Sequence, residues 1–156
     1  SDKLGARLVI NLEKLYLSIK KLGLKVSDVN EYYNYSHELG IAQIDTNNLQ
    51  NKIFGLECNF EELNGIDFRK GCYVGQENTA RIKLKDKLNK RLFAIKVLDG
   101  EINSDEITSE NKNLGKLLIN NKNPFALLKL KDKSFNFDKD LKCGDAKIKV
   151  LRPNWI

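Results

Sequence analysis

From residue 12 to residue 22 the apolar side chains Leu12, Leu15, Tyr16, Ile19 and Leu22 return every three or four positions, the period of one helix face. Asn11 stands where a helix cap accepts an unpaired N–H, and Gly23 where a left-handed residue ends the helix. A second helix is predicted after Ser27 or Asp28, because Glu31 completes a capping-box spacing and the pattern continues through Tyr32, Tyr35 and Leu39 to Gly40. At that spacing the tyrosines are expected to pack in a core rather than form an exposed stacking platform. Arg7 to Ile10 reads as a short strand, and Thr46 to Ile53 as a third, shorter helix.

Beyond Arg81 the period shortens to that of strands. Leu92 to Val97, Leu114 to Ile119, Ala126 to Leu130 and Ala146 to Leu151 read as strands. The stretches 98–103, 120–124 and 139–144 between them are rich in turn formers. Short strands at such intervals predict a small antiparallel β-barrel. The fold class is therefore α+β, an α/β region over residues 1–80 followed by a barrel over residues 81–156, with no Pro- or Ser-rich linker at the boundary.

Composition narrows the class. With 156 residues, 41% of them hydrophobic and 31% charged, the chain can bury a core and reads as soluble and globular. Its apolar runs are far shorter than a membrane span and no signal segment opens it, so no membrane contact is expected. Cys58, Cys72 and Cys143 form an odd set without a Cys-x-x-Cys pair, which argues for a reducing compartment over a disulfide framework or a self-contained zinc site. The single histidine, His37, has no partner at a metal-ligand interval. The net charge of +6 permits attraction to polyanions. Lys83, Lys85, Lys87, Lys90 and Arg91 form a local cluster; a solvated strand face is its commoner explanation, and a patch for RNA or the polyglutamate tail of folate the functional one.

The densest chemistry lies in residues 69–81, Arg-Lys-Gly-Cys-Tyr-Val-Gly-Gln-Glu-Asn-Thr-Ala-Arg. Neighbouring cations, here Arg69 and Lys70, favour the thiolate of a cysteine such as Cys72. Gly71 and Gly75 suit a loop that presents Cys72 and Tyr73 to a ligand. The bland reading is a turn around a buried, inert cysteine. Glu77 and Arg81 stand four apart, the spacing of a helix pair.

Lys70 to Glu77, Lys-Gly-Cys-Tyr-Val-Gly-Gln-Glu, resembles the signature octapeptide of the YgfZ family of folate-binding proteins, which shares its fold with the T-protein aminomethyltransferases. Gly55-Leu56-Glu57-Cys58-Asn59 resembles the Leu-Glu-Ala-Asn element that precedes the signature. Asn64 to Phe68 resembles the turn and short strand leading into it. Thr79 and Arg81 fit its continuation, and Arg152-Pro153-Asn154-Trp155 resembles the closing Pro-x-Trp. The resemblance implies a partial T-protein-like folate-binding domain over residues 1–80 ahead of the barrel. It implies a tetrahydrofolate-binding accessory factor for iron–sulfur cluster assembly or repair, with Cys72 and Lys70 as the reactive pair. Glu57, Tyr73, Gln76, Glu77 and Arg81 are then folate-binding residues, Glu57 facing the pterin. A carboxylate can accept two hydrogen bonds from such a ring; a local salt bridge is its plain alternative.

The implied partners are folate and an iron–sulfur scaffold or carrier protein, with transient contact to a cluster and RNA contact as a further option. The implied location is the bacterial cytoplasm or the mitochondrial matrix. Family members carry a long N-terminal half, and this chain, which has no methionine, begins where that half should have ended. It is expected to be the C-terminal portion of a longer protein, with much of the folate site elsewhere. The alternative function is a folate-dependent aminomethyltransferase of the glycine cleavage system, whose family typically lacks the Lys-Gly-Cys-Tyr signature.

Overall fold

A computed structural model describes residues 2–84 and 88–156. The first helix, α1 (Leu12–Leu22), is closed at both ends as expected: the Asn11 side chain accepts from Glu13 N–H, and Gly23 adopts φ +60° with Leu24 N–H returning to Ile19 O. None of its residues is buried. The second helix, α2 (Val29–Glu38), starts at Asp28, whose side chain accepts from Asn30 N–H, while Ser27 Oγ bonds the Glu31 carboxylate. Its Ser36 and His37 are buried.

Six strands follow the third helix, α3 (Gln76–Leu84): β1 (Lys90–Asp99), β2 (Ile102–Ser109), β3 (Lys112–Ile119), β4 (Phe125–Lys129), β5 (Leu141–Gly144) and β6 (Ala146–Val150). They close into an antiparallel barrel in the order β1-β4-β3-β2-β5-β6. Alternation decides what fills it. Ala146, Ile148 and Val150 of β6 point inward and Lys147 and Lys149 outward. Phe93, Ile107, Leu114, Leu128 and Leu141 join the same core, with Phe135 and Phe137 packed on Phe93 at ring distances of 6.1 and 5.3 Å.

β1 is apolar on both faces over Leu92 to Ile95, because its outer side is covered too. Leu92 and Ala94 meet Leu49, Ile119 and Phe125 in a second cluster, flanked by Ala42, Ile53 and Cys58. Residues 36–63 are thereby fastened to the barrel wall. His37 Nε2 lies 3.0 Å from Pro124 O and its ring stands edge-on to Phe125. Trp155 Nε1 donates to Leu39 O at 3.1 Å, with Pro153 and Trp155 packed at Gly40. The closing Pro-x-Trp thus ties the end of the chain to the end of α2.

Four expectations need correction. Arg7 to Ile10 is not a strand: Val9 is 100% exposed and the segment has no sheet to join, so its alternation has nothing to bury against. The third short helix contracts to a 3-10 turn, Thr46–Leu49, followed by Asn51 at positive φ. Ile66 to Phe68 forms no strand, although the turn before it exists, with Asn64 at φ +58°. The tyrosines of α2 are core packing only in part: Tyr32 and Tyr33 are half-buried in an edge contact, whereas Tyr35 is 44% exposed.

Candidate functional site

The turn containing Glu57 and Asn59 is built by the strand it covers. Leu92 N–H donates to Glu57 O at 2.8 Å, and Asn59 Nδ2 donates to Leu92 O at 2.8 Å, so both backbone groups of Leu92 are satisfied from this turn. Asn59 sits at φ +63°, a conformation asparagine tolerates better than most residues. Its Oδ1 accepts from Arg91 at 3.1 Å, and Arg91 also pairs with Glu62. Asn59 is therefore the clip between turn and barrel, a role its place beside Glu57 did not announce. Glu57 is half-buried, and its Oε2 accepts from Phe54 N–H at 3.0 Å, which makes it a local turn brace.

The Cys72 loop connects that turn to α3. Glu61 pairs with Lys83, whose ammonium also lies over the Phe68 ring. Within the loop Gln76 Oε1 accepts from Tyr73 N–H at 3.2 Å, closing the first turn of α3. The Lys70 ammonium rests 4.7 Å from the Tyr73 ring centre, and Arg69 turns back to Asp67 at 3.4 Å. Both cations beside Cys72 therefore already have partners. Gly75 takes φ +87°, which requires glycine. Gly71 is different: it has an ordinary φ, and a Cβ there would meet nothing within 4 Å.

Cys72 is exposed, Cys58 half-buried and Cys143 buried. Burial pushes the Cys58 thiol up to about 11, with the nearby Glu57 carboxylate adding to it. Burial raises the Cys143 thiol as well, and its sulfur donates to Ser104 O. Of the three, only Cys72 is exposed.

Six of the expected site residues fall together: Lys70, Cys72, Tyr73, Gln76, Glu77 and Arg81 occupy one loop and the helix behind it. Glu77 and Arg81 make their predicted pair at 2.7 Å. Glu57 stands apart on its own turn. Lys70, Tyr73 and Gln76 line a cavity of about 130 Å³, well below the several hundred Å³ of a small-molecule site. A larger apolar cleft of about 570 Å³ lies between residues 41–65 and Leu92, and none of the expected site residues lines it. The expected site residues that fall together therefore line only the smaller of these two cavities.

Three residues of the basic cluster are described. Lys83 and Arg91 are paired to Glu61 and Glu62, Lys90 faces Lys129 across the sheet, and Lys85 and Lys87 lie outside the described residues. No group of histidine, cysteine and carboxylate side chains among the described residues forms a metal site. No helix among them is long and apolar enough to cross a membrane.

Residues 89–156 match the family model described as the CAF17 C-terminal β-barrel domain. The chain is 32% identical over 108 residues to a protein of Dictyostelium discoideum named iron-sulfur cluster assembly factor IBA57 homolog, mitochondrial; the match covers 69% of this chain and 26% of that protein. It is 36% identical over 73 residues to the mouse iron-sulfur cluster assembly factor IBA57, mitochondrial, covering 47% of this chain and 20% of the relative. The Neurospora crassa IBA57 homolog is 46% identical over 55 residues, covering 35% of this chain and 12% of the relative. The chain spans about a quarter or less of each of these relatives.

Proposed function

We propose that this chain belongs to the CAF17/IBA57 family and is part of an iron–sulfur cluster assembly factor whose working group is the Cys72 sulfur. The observation that carries this reading is the exposure of Cys72 on a loop with open space at Gly71, while the other two cysteines are withdrawn. A thiolate is a soft ligand suited to iron. One cysteine cannot hold a cluster, so the remaining ligands come from a scaffold or carrier protein and the cluster is cargo. The names of the relatives support the assembly role.

In this reading residues 1–80 supply the sulfur and residues 81–156 the barrel on which its supporting turn is mounted. A longer polypeptide would work in the mitochondrial matrix of a eukaryote or the cytoplasm of a bacterium. In this reading tetrahydrofolate is a ligand of the longer polypeptide, and no step assigned to Cys72 runs through it. Lys70, resting on the Tyr73 ring, places a cation in the same exposed loop as the sulfur.

The test is rescue of a [4Fe–4S] enzyme, such as aconitase, in cells deleted for the gene. Cys72→Ser is expected to fail while Cys58→Ser restores activity. Restoration by Cys72→Ser would remove this sulfur from the mechanism.

A further inference from the structure

We infer that the outer face of β1, β6 and β5 is a docking surface for an acidic protein, separate from the Cys72 loop. Lys96, Lys149, Lys147 and Lys142 are all exposed on this face. The register sets them against one another: Lys96 lies opposite Lys149, and Lys142 opposite Lys147. Like charges directly opposite across an antiparallel pair are destabilising, so folding of this chain gains nothing from the arrangement.

Lysines on strands often protect a sheet edge from pairing with another chain. That explanation does not apply here, because the barrel is closed and each of these strands is paired on both sides. Asp140 neutralises Lys147 at 2.8 Å, and Asp99 stands opposite the same lysine. Among the described ion pairs, none includes Lys96, Lys142 or Lys149.

One exposed apolar side chain accompanies the charges. Leu98 is 45% exposed and falls in the register irregularity between Val97 and Asp99, whereas Val97 lies opposite the inward-facing Ile148. An exposed leucine bordered by ammonium groups has the layout of a protein interface, apolar within and polar at the rim. A nucleic acid would favour uninterrupted positive charge and aromatic platforms. This face offers neither, since Asp99 and Asp140 interrupt it and its exposed apolar groups are aliphatic. The fitting occupant is a protein surface with an apolar residue ringed by aspartate or glutamate.

The test places the photo-crosslinking residue p-benzoylphenylalanine at position 98 of the gene's natural product in cells and sequences the crosslinked peptides. The expected product joins position 98 to a peptide of another protein with aspartate or glutamate within a few residues. Its yield should fall about tenfold when Lys96→Glu and Lys149→Glu are added, through like-charge repulsion at the rim. The purified variants are melted alongside, and Lys96→Ala with Lys149→Ala replaces the reversal if that variant unfolds. Crosslinks to RNA, to the same polypeptide, to a second copy or to peptides without acidic neighbours would overturn the inference, as would an unchanged yield or no crosslink.

Discussion

Replacing Asn59 by alanine should destabilise the chain by about 3 kcal/mol, more than a half-exposed turn residue normally would. Asn59 is 1% exposed, and two separate costs meet there. Losing Nδ2 leaves the Leu92 carbonyl without the donor now 2.8 Å away, a cost of about 1–3 kcal/mol for a buried acceptor. Alanine must also hold φ +63°, and because asparagine tolerates that conformation better, the difference adds up to about 1 kcal/mol. Arg91 loses one acceptor but keeps Glu62. Asn59→Gly removes the same hydrogen bonds without the backbone strain and should be about 1 kcal/mol milder. Asn59→Asp keeps an acceptor for Arg91 but turns a second oxygen toward Leu92 O, so it should resemble the alanine variant. The assay is urea unfolding followed by circular dichroism and by the fluorescence of Trp155, the single tryptophan, whose indole is bonded to Leu39 O. An Asn59→Ala variant within about 0.5 kcal/mol of the parent, or a glycine variant as damaging as alanine, would refute the assignment of Asn59 as the clip.

Three further outcomes follow from the same geometry. Burial holds His37 below its ordinary 6.5 against the raising effects of the Pro124 and Ile95 carbonyls and Glu38, so the unfolded chain binds its proton more readily. Its contribution is complete above pH 6.5 and is lost as pH falls from there toward the folded value; urea midpoints from pH 7.5 to 5 should drop less for His37→Gln than for the parent. Gly71→Ala should leave the melting temperature unchanged, since its Cβ enters open space. Gly115→Ala should cost about 3 kcal/mol or prevent folding, because its Cβ would lie 2.1 Å from Leu127 O, and a thermal melt distinguishes the two glycines.

What could be read from the residues follows how local each signal is. α1 and α2 were legible because Asn11, Gly23, Asp28 and Glu31 act on neighbours within a turn. Four strands were legible by alternation, but β2 was not: Ile-Asn-Ser-Asp-Glu-Ile-Thr-Ser is mostly polar and becomes a strand because β3 and β5 flank it. β5 is four residues long and hid in a turn-rich stretch for the same reason. Arg7 to Ile10 failed in the opposite sense, having the pattern of a strand without a neighbour. α3 carries no apolar stripe, and the spacing of Glu77 and Arg81 was its one clue. Within the site, the loop residues fell together because they are adjacent in sequence. The roles of Glu57 and Asn59 depend on contacts with Phe54 and Leu92, and the contact with Leu92 spans 33 residues that local chemistry does not see.

The central claim is that Cys72 is the solvent-reachable sulfur of this chain. It is tested most directly by site-resolved alkylation, with iodoacetamide added to the native protein near neutral pH and each cysteine followed by mass spectrometry. Cys72 should react within a few-fold of a free thiol, while Cys58 and Cys143 react about a hundredfold more slowly until urea exposes them. Protection of Cys72 to the same degree as the other two would contradict the account.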